Sequence, residues 1–189
     1  MERYLYILLF FTLHFSFFTP SAHAEGWKIY ASYHNATKAV KMDGRVYVLA
    51  NGDIFSYDPE DTSVEVYDKA NVLSDFGIYD IAYCAATKCV VILYKNGNID
   101  VMDNKHRVVN MSELKTTTIG DKSLNELCVE GSEAFVSTNS GLVVVNLQTC
   151  NFADMYKFDS PVKSCVADSK SIYAKTGNAT YYGDRSLNL

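Results

Sequence analysis

Proline is scarce in this 189-residue chain, with three in all, and glycine supplies only ten, which removes collagen-like and proline-rich linker readings. Basic charge is also short. Lysine and arginine number 17 against 22 aspartates and glutamates, a net charge of -5, so no basic surplus exists to neutralise phosphates and no nucleic-acid partner is expected. Of four histidines only His34 and His106 lie beyond the first 24 residues, and Cys-x-x-Cys is absent, which argues against a zinc site. Gly-x-Ser-x-Gly, the P-loop, Gly-x-Gly-x-x-Gly, His-Glu-x-x-His and the EF-hand loop are missing too. The expectation is therefore no catalytic residue, no cofactor and no metal.

What is present is a chain able to bury a core, 48% apolar and rich in tyrosine, with 14. Its first 24 residues read as an address. Arg3 gives a positive start, Tyr4 to Phe18 is almost wholly apolar, and Ser21-Ala22-His23-Ala24 offers the small residues a signal peptidase reads. That run covers 15 positions and contains Thr12, His14 and Ser16, whereas a spanning helix needs about 20 apolar residues. The segment 1–24 is read as a signal peptide, leaving 25–189 as an exported chain with no transmembrane segment after cleavage.

Export permits disulfides, and all five cysteines, Cys84, Cys89, Cys128, Cys150 and Cys165, lie in 25–189. An odd count leaves at least one without an intrachain partner. Cys84 and Cys89 flank Ala85 to Lys88 between two apolar runs; if those runs pair as a hairpin, the sulfurs face each other at a separation a disulfide tolerates. Two buried thiols fit the same residues equally well.

A repeat organises the remainder. Val46 to Asp58, Val90 to Asp103, Ala134 to Asn146 and Ile172 to Asp184 share one shape: an apolar run, a turn of small residues, a second apolar run, then Asp or Asn. The glycines Gly52, Gly97, Gly141 and Gly177 stand 45, 44 and 36 residues apart. Each copy follows another apolar stretch and polar turn, so every repeat begins as two hairpins, with Asp43-Gly44, Asn51-Gly52 and Asn96-Gly97 as expected type I′ turn pairs. A third apolar stretch, such as Val64 to Tyr67 or Arg107 to Met111, brings each repeat to about four strands.

That is the unit of a β-propeller blade, commonly about 40 to 50 residues long. Helical solenoids lack support, because the β-branched runs alternate or are continuous and the only helix-like piece is Met111 to Lys115. A β-sandwich offers short strands without a reason for the repeated turn register. The fold class expected is all-β: four blade repeats of four antiparallel strands in an incomplete ring, the fourth ending just past its third strand. Trp27 to Ser32 reads as a lone strand suited to a closing blade, which makes 25–189 the N-terminal part of a larger propeller.

Three segments carry a family resemblance. Trp27-x-x-Tyr30-x-Ser32-Tyr33-His34-Asn35-Ala36, Asn71-Val-Leu-Ser-Asp75-x-x-Ile78-x-x-Ile81-Ala-Tyr83 and Tyr94-Lys-Asn-Gly-Asn-Ile-Asp100 resemble the N-terminal propeller of PorZ-like proteins of the Bacteroidetes type IX secretion machinery. The central part also resembles the propeller repeats of two-component sensors. The first resemblance implies a non-enzymatic module in the periplasm or at the outer-membrane surface. Its partners would be other outer-membrane secretion and attachment proteins and lipopolysaccharide or another glycan. The second implies an extracytoplasmic glycan-sensing propeller. A propeller lyase or hydrolase would need an acid and a base that no motif locates. Val72 stands where the family loop usually has Gly, and no family active-site residue transfers.

Two stretches remain as candidate ligand- or partner-binding loops on a propeller face. One is Asn71 to Tyr79, with Leu73, Phe76 and Tyr79; the other is the polar connection Leu114 to Lys122. The competing reading packs Leu73 and Ile78 between blades. Asp58, Glu60 and Asp61 beside Pro59 could hold calcium or simply form a solvated turn.

Overall fold

The computed structural model describes residues 34–118 and 120–185, so the expected signal peptide 1–24 and the expected lone strand 27–32 lie outside the described residues. Four antiparallel sheets follow one another along the chain. The first comprises β1 (Ala36–Met42), β2 (Arg45–Ala50), β3 (Asp53–Tyr57) and β4 (Val64–Tyr67). The second holds β5 (Ile78–Cys84), β6 (Cys89–Tyr94), β7 (Ile99–Asp103) and β8 (Val108–Met111). After the single-turn helix α1 (Glu113–Thr116) comes a third sheet of β9 (Leu124–Glu130), β10 (Glu133–Thr138), β11 (Gly141–Asn146) and β12 (Asn151–Lys157). The fourth has β13 (Val162–Ala167), β14 (Ser171–Thr176) and β15 (Thr180–Asp184), three strands among the described residues. Each sheet is a meander, and the first strands of successive sheets are neighbours: β1 beside β5, β5 beside β9, β9 beside β13. This is radial blade order without ring closure, an incomplete propeller.

Period-2 patterning explains the packing. Along β6, Val90, Ile92 and Tyr94 enter the core between blades 1 and 2, while Cys89, Val91 and Leu93 enter the core between blades 2 and 3. A strand buried on both faces reads as a continuous apolar run, as β6 does. The same division holds in β11, with Val143 and Val145 facing blade 2 and Leu142 and Val144 facing blade 4. Sheets therefore stack face to face around an axis, and the inner strands β1, β5, β9 and β13 stand along it.

The turns differ from the repeat seen in sequence. Asp43-Gly44 and Asn51-Gly52 take positive φ at both positions, as a type I′ pair requires. Asn96-Gly97 does not. Only Gly97 is left-handed, at φ 84, because Lys95 lengthens the loop and the Gly97 N–H donates back to Tyr94 O at 2.9 Å. In the third blade Asn139 and Ser140 form the turn, and Gly141 is already the first residue of β11.

Candidate functional site

The segment 68–77 joins blade 1 to β5, and its own side chains shape it. The Asp68 carboxylate accepts from the Ala70 and Asn71 amides at 2.6 and 3.2 Å, and its carbonyl accepts from Val72 and Leu73. Val72 has no left-handed φ, so the turn forms without the family glycine. Farther along, the Ile78 N–H donates to Gly52 O and the Lys95 N–H donates to Gly77 O, fastening the linker to the central turns of blades 1 and 2.

Buried Asp100 holds the middle of the linker. Its carboxylate accepts from the Ser74 amide at 2.8 Å, the Tyr94 hydroxyl at 2.6 Å and Asn110 Nδ2 at 2.8 Å. Burial, with the Asp100 charge added, pushes the Tyr94 phenol well above its usual range. Beside it, Asp75 accepts from Asn96 Nδ2 at 2.7 Å, Asn98 Nδ2 at 3.3 Å and Lys115 Nζ at 2.7 Å. Burial opposes the Asp75 charge, but the hydrogen bonds from Lys115, Asn96 and the Phe76 amide outweigh it and hold the carboxyl well below its ordinary range. The motifs Asn71 to Asp75 and Tyr94 to Asp100 thus meet in one polar network.

Lys115 lies on α1, so this network also draws in the second candidate loop, 114–122. Leu114 is fully buried against the blade 2 and 3 core and sits over Gly97, where an added Cβ would lie 3.2 Å from Leu114 Cγ. Lys122 Nζ donates to the carbonyls of Lys115 and Thr117 at 2.8 and 2.9 Å. Both candidate loops therefore share one face. Phe76 stands on it 63% exposed, with Lys69 Nζ 5.1 Å from its ring centroid. Lys95 is also exposed, its stem packed near Gly77. Lys69, Lys95, Lys115 and Lys122 lie on this face among Asp68, Asp75, Glu113 and Asp121, with Lys115 paired to Asp75; sequence reading did not single these lysines out, and their positions in or beside the linkers were the available signal.

The three residues singled out in the first loop divide. Leu73 is buried in the core between blades 1 and 2 with Ile78, and it presents no surface. Phe76 is exposed. Tyr79 begins the inner strand, and its hydroxyl donates to Leu124 O of β9 at 3.0 Å, bridging blades 2 and 3. A similar tie joins β1 to β5, where Lys38 Nζ meets Asp80 at 2.8 Å.

Elsewhere, several titratable side chains take part in local structure. Asp58 and Asp61 accept from the Glu60 and Ser63 amides, each at 2.9 Å, and so close their own turn. His34 is exposed, with its carbonyl accepting from Asn51 Nδ2. His106 Nε2 lies 3.1 Å from the Tyr47 hydroxyl and 3.0 Å from that of Tyr67, and Tyr67 in turn bonds buried Ser56 at 2.9 Å. Ser56 therefore reaches Tyr67 rather than the imidazole, and the cluster docks the β7–β8 turn onto blade 1. Cys84 and Cys89 are directly opposed in register, and both are free thiols in this structure. Burial pushes the Cys89 thiol up to about 11.

Comparison with known proteins places this geometry among relatives. A family model described as the N-terminal beta-propeller domain of PorZ, of the type IX secretion system, matches residues 46–189. The solved structure of PorZ, a bacterial surface component of the type IX secretion system of Porphyromonas gingivalis, is 28% identical with a TM-score of 0.76, over 86% of this chain and 22% of that one. The extracellular domain of a hybrid two-component system from B. thetaiotaomicron aligns at 14% identity and TM-score 0.67, over 82% of this chain and 20% of that one. Apo AztD from Citrobacter koseri gives 9% and 0.63, over 80% and 44%. The chain thus spans about a fifth of the length of the first two. No curated protein matches it in sequence. Among the described residues no helix is long and apolar enough to cross a membrane.

Proposed function

Since this chain belongs to the family of PorZ N-terminal β-propeller domains of the type IX secretion system, we propose that it is an exported, non-enzymatic binding and scaffold module at the cell surface. In this reading it serves the attachment of secreted cargo to anionic lipopolysaccharide, beside other outer-membrane secretion and attachment proteins. The family match carries the proposal. The site offers one physical feature in its favour: Phe76 stands exposed with the Lys69 ammonium 5.1 Å from its ring centroid. An exposed aromatic with one cation beside it suits a sugar phosphate with apolar faces. The likeness to the two-component extracellular domain, at 14% identity, shows the fold alone and gives sensing no separate support.

Titrating lipopolysaccharide against the full chain and its Phe76→Ala and Lys69→Ala variants tests the reading, with melting temperature as the control. Each variant should bind about tenfold more weakly, the equivalent of about 1.4 kcal/mol, with an unchanged melting temperature. Wild-type affinity in both variants, or a loss explained by a fallen melting temperature, would overturn it.

A further inference from the structure

Each inner strand carries a β-bulge at its second residue. The register slips by one across Thr37 in β1, Tyr79 in β5, Asn125 in β9 and Lys163 in β13. A bulge re-aims its side chain, and in blades 2 and 3 that side chain crosses to the next blade. The Tyr79 hydroxyl donates to the carbonyl of Leu124, the first residue of β9, at 3.0 Å. Asn125 Nδ2 donates to the carbonyl of Val162, the first residue of β13, at 2.8 Å. Thr37 has the shortest side chain of the four and bonds Leu49 O in its own blade, while Lys38 beside it reaches Asp80. Lys163 repeats the device on blade 4. It is exposed, with no further blade among the described residues to receive its ammonium.

The two faces that end the series are apolar. On blade 4 the face turned away from blade 3 presents Val166, Tyr173 and Tyr182, opposed in register across β13, β14 and β15 and 65%, 40% and 67% exposed. On blade 1 the face turned away from blade 2 presents Ala39, Val46, Val48, Tyr57 and Val64, of which Tyr57 and Val64 are exposed and Val46 and Val48 half-buried. Lys175 shares the first face and Asp53 the second, so the charges on the two are opposite. We propose that blade 4 docks through this face onto blade 1 of a second copy, head to tail, and that two copies close one ring. Lys163 then donates to the carbonyl of Ala36 of the partner subunit, the first residue of that inner strand.

Blade 1 offers blade 4 what blades 3 and 4 offer their predecessors: an inner strand whose first carbonyl stands just before a bulge, and an apolar sheet face beside it. Size favours a reciprocal contact over a single one. Three strands about 4.8 Å apart and five residues long at about 3.3 Å each cover roughly 240 Å² of either sheet, too little for a stable interface. Head-to-tail closure makes the same contact twice, and roughly 1,000 Å² in all reaches the lower bound of a specific one. Two chains of four blades give eight, inside the range of known propellers. A head-to-tail contact that failed to return to its start would instead string copies into a filament.

Multi-angle light scattering of the full chain, from about 1 to about 100 μM, is the test. The mass should rise to that of two chains with a Kd in the micromolar range, as suits an interface at the small end of the scale. Val64→Asp on blade 1 and Val166→Asp on blade 4 should each weaken the dimer by about tenfold or more. Both side chains are exposed, so far-UV circular dichroism and the melting temperature of the dissociated subunit, in which blade 4 packs on blade 3 alone, should not change. Lys163→Ala should weaken the dimer about tenfold and Lys163→Arg much less. Should an aspartate variant misfold, the Lys163 pair keeps the test. A chain that stays monomeric at about 100 μM, a dimer indifferent to either aspartate variant, or a mass that keeps growing past two copies overturns the proposal.

Discussion

At the residue scale, the four glycines that mark the repeat carry unequal burdens. Gly52 and Gly97 supply left-handed turn positions, at φ 84 in both. Gly141 does something else: at φ 152 it lets strand β12 close in, and an added Cβ would lie 2.2 Å from Tyr156 O, a backbone atom that cannot swing away. Gly177 has open space around it and no positive φ. Gly141→Ala should therefore cost about 3 kcal/mol or more, seen as a midpoint fall of roughly 6–12 °C in thermal unfolding. Gly177→Ala should change the midpoint by less than about 2 °C. Equal effects at the two sites would refute this division. The alignment of glycines was legible from sequence because turns recur at blade spacing. Their separate roles were not, since one inserted residue, Lys95, moves the left-handed position along the loop, and the approach of Tyr156 depends on a strand 15 residues away.

Among elements, the linkers matter more than the strands they join. Asp75 connects the loop 68–77, the β6–β7 turn and α1, three pieces that alternation and turn signals identify singly. Their meeting was not readable, because Lys115 lies 40 residues from Asp75 and neither is unusual in its own surroundings. Blade 3 repeats the device with other residues: Asn139 Nδ2 from its central turn donates to Asp121 at 2.7 Å, and with the Ser123 bonds this lowers that carboxyl to about 2. In blade 1 Asn51 donates from the equivalent turn to the carbonyl of His34. In blades 1, 2 and 3 the entry segment is thus pinned by the asparagine of its own blade's central turn. The Asp75 carboxyl in the folded chain lies below the ordinary aspartate value of 3.8, so its stabilisation is fully present above that pH and is lost as pH falls through it toward the folded value. Asp75→Asn should lose about 1–2 kcal/mol near neutral pH by urea titration, and the gap from wild type should shrink below about pH 4. A gap that stays constant from neutral to acid would show that the charge is not what holds the linker.

Over the whole molecule, burial declines from the middle of the series toward its last sheet. Every residue of β6 is buried, and β10 and β11 are nearly so, because each has a blade on both sides. All five residues of β15 are exposed, and beside it Leu142, Tyr156, Phe158, Ile172, Tyr181 and Tyr182 line an open cleft of about 440 Å³. Fourfold blade order was legible from sequence because both faces of a middle strand must be apolar, whereas this gradient depends on which sheet has a neighbour. Stability in a radial array follows the interfaces between adjacent units, so in the 189-residue chain by itself blade 4, which among the described residues packs on blade 3 alone, should open at lower free energy than blades 2 and 3. Native-state hydrogen exchange should accordingly find the amides of β6, β7, β10 and β11 the slowest, and those of β14 and β15 faster by about two orders of magnitude or more, through an opening that leaves blades 2 and 3 intact. Uniform protection from β6 to β15, with one opening free energy for all, would mean that the four sheets unfold as a single unit and that the exposed cleft exerts no local penalty.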